Sequence, residues 1–192
     1  MADLMMAHGS DAMQKAKEAL VAALSDLEEL RSEYESKRDN LPENLSDSPY
    51  YQKCDAVADL DIESSKDTAE GLELDIIPHR PESSFLSFLD IPSKPRKKVP
   101  SMPSRWADAA GHATESLEFL KTEVQHRLDA LREMEVDADD ETLEGDEKPD
   151  LSLEEINKQV DKVEELVQEL EQLESEISEF EGAELPLGFG RD

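Results

Sequence analysis

A single cysteine, Cys54, leaves no partner for an internal disulfide, so a stapled fold is excluded and the chain suits a reducing compartment. The ordinary role for such a residue is an inert, partly buried thiol. No run of about 18 apolar residues occurs, which excludes a membrane-spanning helix and removes the membrane from the expected partners. The opening "MADLMMAHGSD" has neither the basic region nor the long apolar stretch of a secretory signal, so the expected location is the cytoplasm. Aromatics make up 5% of the chain, so a core has to be built from Leu, Val, Ile, Ala and Met. Bases are scarce as well: 20 Lys and Arg stand against 49 Asp and Glu, a net charge of −29. That excess disfavours direct contact with nucleic acid or anionic lipid and favours a basic protein surface or a cation as partner.

Enzyme motifs are missing too. There is no G-x-x-x-x-G-K-[ST], no G-x-G-x-x-G and no G-x-S-x-G. The lone G-x-G, Gly188-Phe189-Gly190, has no helix after it to receive a phosphate. The histidines His8, His79, His112 and His126 lack a second ligand at metal spacing and read as surface groups. The acidic stretch Asp137–Asp150 has carboxylates in plenty, but neither the Gly at position 6 nor the Glu at position 12 of a calcium loop. It reads as a solvated loop with weak cation affinity at most. No catalytic, cofactor or metal-binding residues are assigned, and no enzymatic activity is expected.

What the chain does have is helical periodicity. Met13, Ala16, Leu20, Ala23, Leu27, Leu30 and Tyr34 recur at alternating steps of 3 and 4, which places them on one stripe of a helix over 11–39, with Ser10 as its cap. Asn40, Pro42 and Asn44 end it. Ser48-Pro49 opens a shorter helix to about Ala58, and another runs from about Ile62 to Glu70, with Gly71 as a left-handed cap. Six prolines between residues 76 and 104 forbid a continuous helix there. The spacing of Trp106, Ala110, Ala113, Leu117, Leu120, Val124, Leu128, Leu131 and Met134 predicts a second long helix over 105–135. Ser152 and Glu155 form a capping box, with Leu151 and Ile156 as a staple, for a last helix. Its stripe runs Leu153, Ile156, Val160, Val163, Leu166, Leu170, Leu173, Ile177, Phe180, and Gly182 ends it.

Two phrases repeat. "EGLELDIIPHR" at 70–80 aligns without a gap with "EGAELPLGFGR" at 181–191, and "DAMQKAKEAL" at 11–20 aligns with "DAAGHATESL" at 108–117. Each half then reads as helix, break, helix, Gly, apolar tail. The bland alternative is two helices using the same terminal chemistry. The expected fold is all-α: two long-helix hairpins that cover each other's stripes as a four-helix bundle, or that pair between chains as a coiled-coil homodimer. The expected organisation is an N-terminal hairpin over 1–81, a Pro-rich basic linker over 82–104 and a C-terminal hairpin over 105–192. Their net charges are −11, +2 and −20.

The linker carries the candidate partner-binding residues. Phe85, Leu86, Phe88 and Leu89 lie in the apolar run "SSFLSFLDIP", which reads equally as a docking peptide or as a plug for the bundle. Lys94, Arg96, Lys97 and Lys98 follow, suited to lying across acidic helices or meeting a partner.

The stretches "LRSEYESKRDNLPENLSDSPYYQKCDAVADLDIES" and "SRWADAAGHATESLEFL", with the tail "ELPLGFGRD", resemble a group of small acidic helical proteins of bacteriophages and bacterial plasmids. In that group a D-N-x-P-E-N-L break and an L-P-L-G-F-G-R-D-like tail recur. The resemblance covers roughly half of the chain. It implies a mobile element in a bacterial host and brings no activity and no catalytic residues. The expectation is a non-enzymatic interaction module or scaffold. The alternative is a nucleic-acid mimic whose carboxylates occupy the basic cleft of a host-defence protein that binds DNA or RNA.

Overall fold

The apolar stripe from Met13 to Tyr34 is buried along its whole length, in helix α1 (Ser10–Asp39) of the computed structural model, which describes residues 10–78, 80, 83–86, 100–139 and 151–186. Ala19 and Leu24 are buried beside it, so the stripe is the broad face of a globular bundle and not a narrow two-stranded seam. A short 3-10 turn (Glu43–Leu45) follows, then α2 (Pro49–Ala58), α3 (Ile62–Gly71), α4 (Met102–Asp139) and α5 (Leu153–Glu181). The described residues contain no strand.

Side-chain pairs fix the directions. Near the start of α4, Arg105 pairs with Glu33 near the end of α1 at 2.8 Å, and Trp106 meets Tyr34 edge-on with ring centroids 6.2 Å apart. Those two helices are therefore antiparallel. Helix α5 returns along α4: Trp106 Nε1 donates to the Phe180 carbonyl at 2.8 Å, and Lys121 pairs with Glu174 at 2.6 Å. Helices α2 and α3 run in succession back along α1, through Arg38 with Asp55 at 3.0 Å and Lys66 with Glu28 at 2.9 Å. Finally α3 reaches α5, where Ser65 Oγ donates to Glu176 at 2.6 Å. The contacts close a ring of α1, α4, α5 and α3, and one continuous apolar cluster fills it. The stripes are thus covered within one chain, as a bundle.

The break between α2 and α3 has a clear cause. Asp59 ends one helix and Asp61 starts the next by accepting from the Ser64 amide at 3.2 Å. The Arg31 guanidinium donates to the Ala58 and Leu60 carbonyls at 3.2 and 3.3 Å, supplying partners that the ended helix cannot.

Three local expectations are corrected. First, α4 begins at Met102, inside the stretch assigned to the linker. Pro103 fits a first turn, where its missing amide costs nothing, and Ser101 Oγ accepts from the Ser104 amide at 3.3 Å. Second, Gly71 is not a left-handed cap. Gly71 is the last residue of α3, and the chain turns away at Leu72, which is extended, buried and held by Lys17 Nζ on its carbonyl at 2.8 Å. Gly182 is the expected cap and is right-handed (φ −77°, ψ −3°); its amide donates to the Ser178 carbonyl, and the Phe180 carbonyl accepts from Trp106 Nε1. Third, Leu153 is exposed although it continues the stripe of α5, because the buried face begins one turn later at Ile156. The capping box of Ser152 and Glu155 is present as expected.

Candidate partner surfaces and the strap across α4

Helices α3 and α4 both run antiparallel to α1, so the chain between them has to travel back along the bundle. Its described part does so as a strap. Leu72 leaves α3 beside Lys17, and Ile77 is buried. Arg80 then meets Glu123 and His126 on α4, Ser83 meets Glu123, and Phe85 lands on Phe119. The strap therefore climbs α4 from its later turns toward its start.

Among the sequence-predicted partner residues, Phe85 is 7% exposed and packs on Phe119 with ring centroids 5.1 Å apart, so it plugs the surface of α4. Its neighbour Leu86 points the other way and is 74% exposed. Phe88, Leu89, Lys94, Arg96, Lys97 and Lys98 lie outside the described residues, as do most of the acidic loop and the Gly188-Phe189-Gly190 tail.

Sequence reasoning missed the polar cluster under the strap. Glu123 is 8% exposed and, with Ser116, one of the two buried polar residues described on α4. It accepts from Ser83 Oγ at 2.7 Å and lies 3.9 Å from both the Arg80 guanidinium and His126 Nδ1. Arg80 also donates to His126 Nδ1. Two clefts flank this crossing. One, of about 410 Å³, is lined by Ile77, Pro78, Arg127 and Ala130 among others; the second, of about 470 Å³, lies toward Glu115 and Phe119. Nothing in the sequence marks Glu123, since the partners that justify its burial sit about forty positions upstream in a Pro-rich segment.

Among the described residues three further side chains have a buried atom without a hydrogen-bond partner, Arg31 at Nε, Arg127 at Nε and Tyr34 at its hydroxyl. Arg127 donates to Gln159, yet its Nε is buried without a partner, and burial lowers its pKa. The Tyr34 hydroxyl is buried without a partner beside Trp106; burial raises its pKa far above the ordinary phenol range, and nearby Cys54 and Tyr50 add to that. Among the described residues no group of three or more His, Cys, Asp and Glu is placed to hold a metal ion, and no helix is long and apolar enough to cross a membrane.

The remaining surface is dominated by carboxylates, above all on α5. From Val163 to Glu181 it carries eight acids and no base, and six of the eight (Glu165, Glu169, Glu171, Glu174, Glu179, Glu181) are exposed. Among the described residues, ion pairs from α4 reach two of the eight, Glu164 with Arg132 and Glu174 with Lys121. Compared with known proteins, the chain matches no family model, no curated protein and no solved structure.

Proposed function

We propose that this protein is a non-enzymatic helical interaction module of a phage or plasmid, working in the bacterial cytoplasm, whose acidic outer faces bind a basic partner protein. The observation that carries this reading is the uninterrupted acidic face of α5, on a helix whose apolar side is already consumed by its own chain. The binding surface left to a partner is therefore electrostatic. Exposed Leu86, beside anchored Phe85, offers a small apolar contact at the other side of α4.

A second reading is favoured by one specific number. Eight carboxylates between Glu164 and Glu181, at a rise of about 1.5 Å per residue, give one charge per roughly 3.6 Å of helix axis. A strand of duplex DNA carries one per about 3.4 Å. Helix α5 thus matches the axial spacing of a strand's phosphates in carboxylates, two of them paired with α4 cations, which suits a nucleic-acid mimic that occupies a basic cleft of a host-defence protein.

Binding of the purified chain to DNA-binding proteins of the host, measured across a salt series, tests both. The mimic predicts an affinity that falls steeply as salt rises, displacement by short duplex DNA, and loss of binding in E165Q/E169Q/E179Q. The wider interaction reading predicts weakening by the same triple substitution without displacement by DNA. Binding unchanged in the triple variant ends both.

A further inference from the structure

We propose that residues 1–9 of this chain dock in the cleft that opens on α4 beyond the start of α1, with Leu4, Met5 and Met6 covering its apolar floor. The register of the two long helices sets the place. Helices α1 and α4 run antiparallel, with Glu33 paired to Arg105. Counting 23 residues back from Glu33 and 23 on from Arg105 brings Ser10, where α1 begins, level with Leu128. Helix α4 runs on to Asp139, 11 residues or about 16 Å further, with no part of α1 beside it. The face left open can be traced. Ala109 lines a groove shared with Asp26 and Leu30 of α1. Ser116, Glu123 and Ala130 follow it at intervals of seven, so Ala130 lies on the face that α1 covers, just past the level where α1 begins. There the cleft of about 410 Å³ opens, lined by Ala130 and by Ile77 and Pro78. Met134, one turn further on, is half-buried.

The occupant follows from where the rest of the chain joins the bundle. Residues 1–9 enter α1 at Ser10, at the mouth of this cleft, and nine extended residues reach roughly 30 Å. That exceeds the open length of α4. Met6 stands seven before Met13, so it continues the stripe that α1 buries. The other long stretches outside the described residues fit less well. Residues 140–150 leave α4 at this end, but they carry six acids and one large apolar side chain, Leu143. Residues 187–192 follow the end of α5, which sits beside Trp106 at the opposite end of the bundle. Residues 87–99 join Leu86, next to the contact of Phe85 with Phe119, to the start of α4. The docking does not depend on what the acidic faces bind.

Methyl NMR of the full-length chain, isotope-labelled at Met, Ala and Ile methyl groups, tests this. Single substitutions assign Met5 and Met6. Their methyls are expected to give cross-peaks to Met134, Ala130 or Ile77. Leu4→Ser/Met5→Ser is expected to shift the Met134 methyl resonance and open it to a soluble paramagnetic probe. Ala130→Glu is expected to remove the cross-peaks of Met5 and Met6 while the Met102 resonance, at the far end of α4, stays in place. Met5 and Met6 methyls without a cross-peak to the cleft in wild type overturn the proposal. So does a Met134 resonance unmoved in the Leu4→Ser/Met5→Ser chain. Cross-peaks found only between differently labelled chains of a mixed sample overturn it as well, because they give the cleft to a second copy.

Discussion

Helices α1 and α4 bury the same register. Shifted by 97 positions, Met13, Ala16, Ala19, Leu20, Ala23, Leu27 and Tyr34 fall on Ala110, Ala113, Ser116, Leu117, Leu120, Val124 and Leu131, and every one of these side chains is buried. The helices that follow them agree over their last turns: shifted by 111, Ile62 and Ala69 fall on Leu173 and Phe180, again all buried. Ser65 and Glu176, related by the same 111 positions, touch each other, as equivalent residues do across a twofold axis. Buried Glu123 and Leu128 of α4 fall on exposed Asp26 and half-buried Arg31 of α1, and two buried positions of α1 lose their apolar residue in α4. Lys121 stands where α1 has Leu24, and Arg127 where α1 has Leu30. Both cations reach α5, Lys121 to Glu174 and Arg127 to Gln159. The difference teaches what the more acidic second half needs: α5 carries 11 acids and two bases, so its neighbour gives up apolar surface to bring cations beside it.

The largest test of the comparison is a matched pair of cavities. Leu20 and Leu117 are 0% and 2% exposed at equivalent positions. Leu20→Ala and Leu117→Ala should each cost about 3 kcal/mol, the usual range for a buried leucine, in urea denaturation of the full chain. Equal costs, within about 1 kcal/mol, support two halves packed alike. A cost confined to one of them breaks the comparison.

Arg127 is the sharper test. A half-buried guanidinium whose Nε is enclosed without a partner costs desolvation that a hydrophobic side chain of similar volume avoids. Restoring the residue found at the matching position of α1, Arg127→Leu should raise stability by about 1–2 kcal/mol. A loss of stability would mean that the Gln159 bond and the stem packing outweigh the desolvation.

The helix starts differ in a way that pH resolves. Ser48 caps α2 through the Tyr51 amide at 3.2 Å, with no acid in the motif, whereas Ser152 caps α5 with Glu155 reaching back to it. The Ser152 hydroxyl and amide hold the Glu155 carboxyl below its ordinary value of 4.5. Its contribution is therefore fully present above that value and is lost as pH falls through the depressed one. The stability gap between wild type and Glu155→Gln should be visible near neutrality and shrink progressively as pH falls below 4.5. Ser48→Ala should cost about 1 kcal/mol at neutrality, with no such dependence on Glu155. A gap that persists at low pH would show that the carboxylate charge plays no part in the cap.

Much of this fold was legible in the sequence, because a stripe on a helix needs only local spacing. The stripes of Met13 to Tyr34, Trp106 to Leu131 and Ile156 to Phe180 were all readable in that way. The capping box was readable for the same reason: its partners are three residues apart. What failed depended on groups distant in the chain. The burial of Glu123 is set by Arg80 and Ser83, and the path of the strap is set by directions that only the packed helices define. Arg127 carried no mark of its burial until the register of α1 was laid over it. The candidate partner residues divided at Phe85 and Leu86, adjacent in sequence and opposite in burial, in a segment with no periodicity to separate them.

The glycine ends fell to the same long-range cause. Sequence spacing put a left-handed cap at Gly71 and a helix end at Gly182, but at both ends a side chain from a distant part of the chain reaches a carbonyl beside the glycine, Lys17 at Leu72 and Trp106 at Phe180. Neither glycine then needs its special freedom. An added Cβ at Gly71 meets nothing within 4 Å, and one at Gly182 comes no closer than 3.4 Å to the Ser178 carbonyl. Gly71→Ala and Gly182→Ala should each leave stability unchanged or raise it, by about 0.5 kcal/mol, because alanine narrows the unfolded ensemble. Gly71, inside its helix, should gain the more. The two small shifts in the urea midpoint discriminate sharply, since a left-handed residue would instead lose about 1 kcal/mol on gaining a Cβ. A loss of that size at either position would return the helix end to glycine and remove Lys17 or Trp106 as the group that closes it.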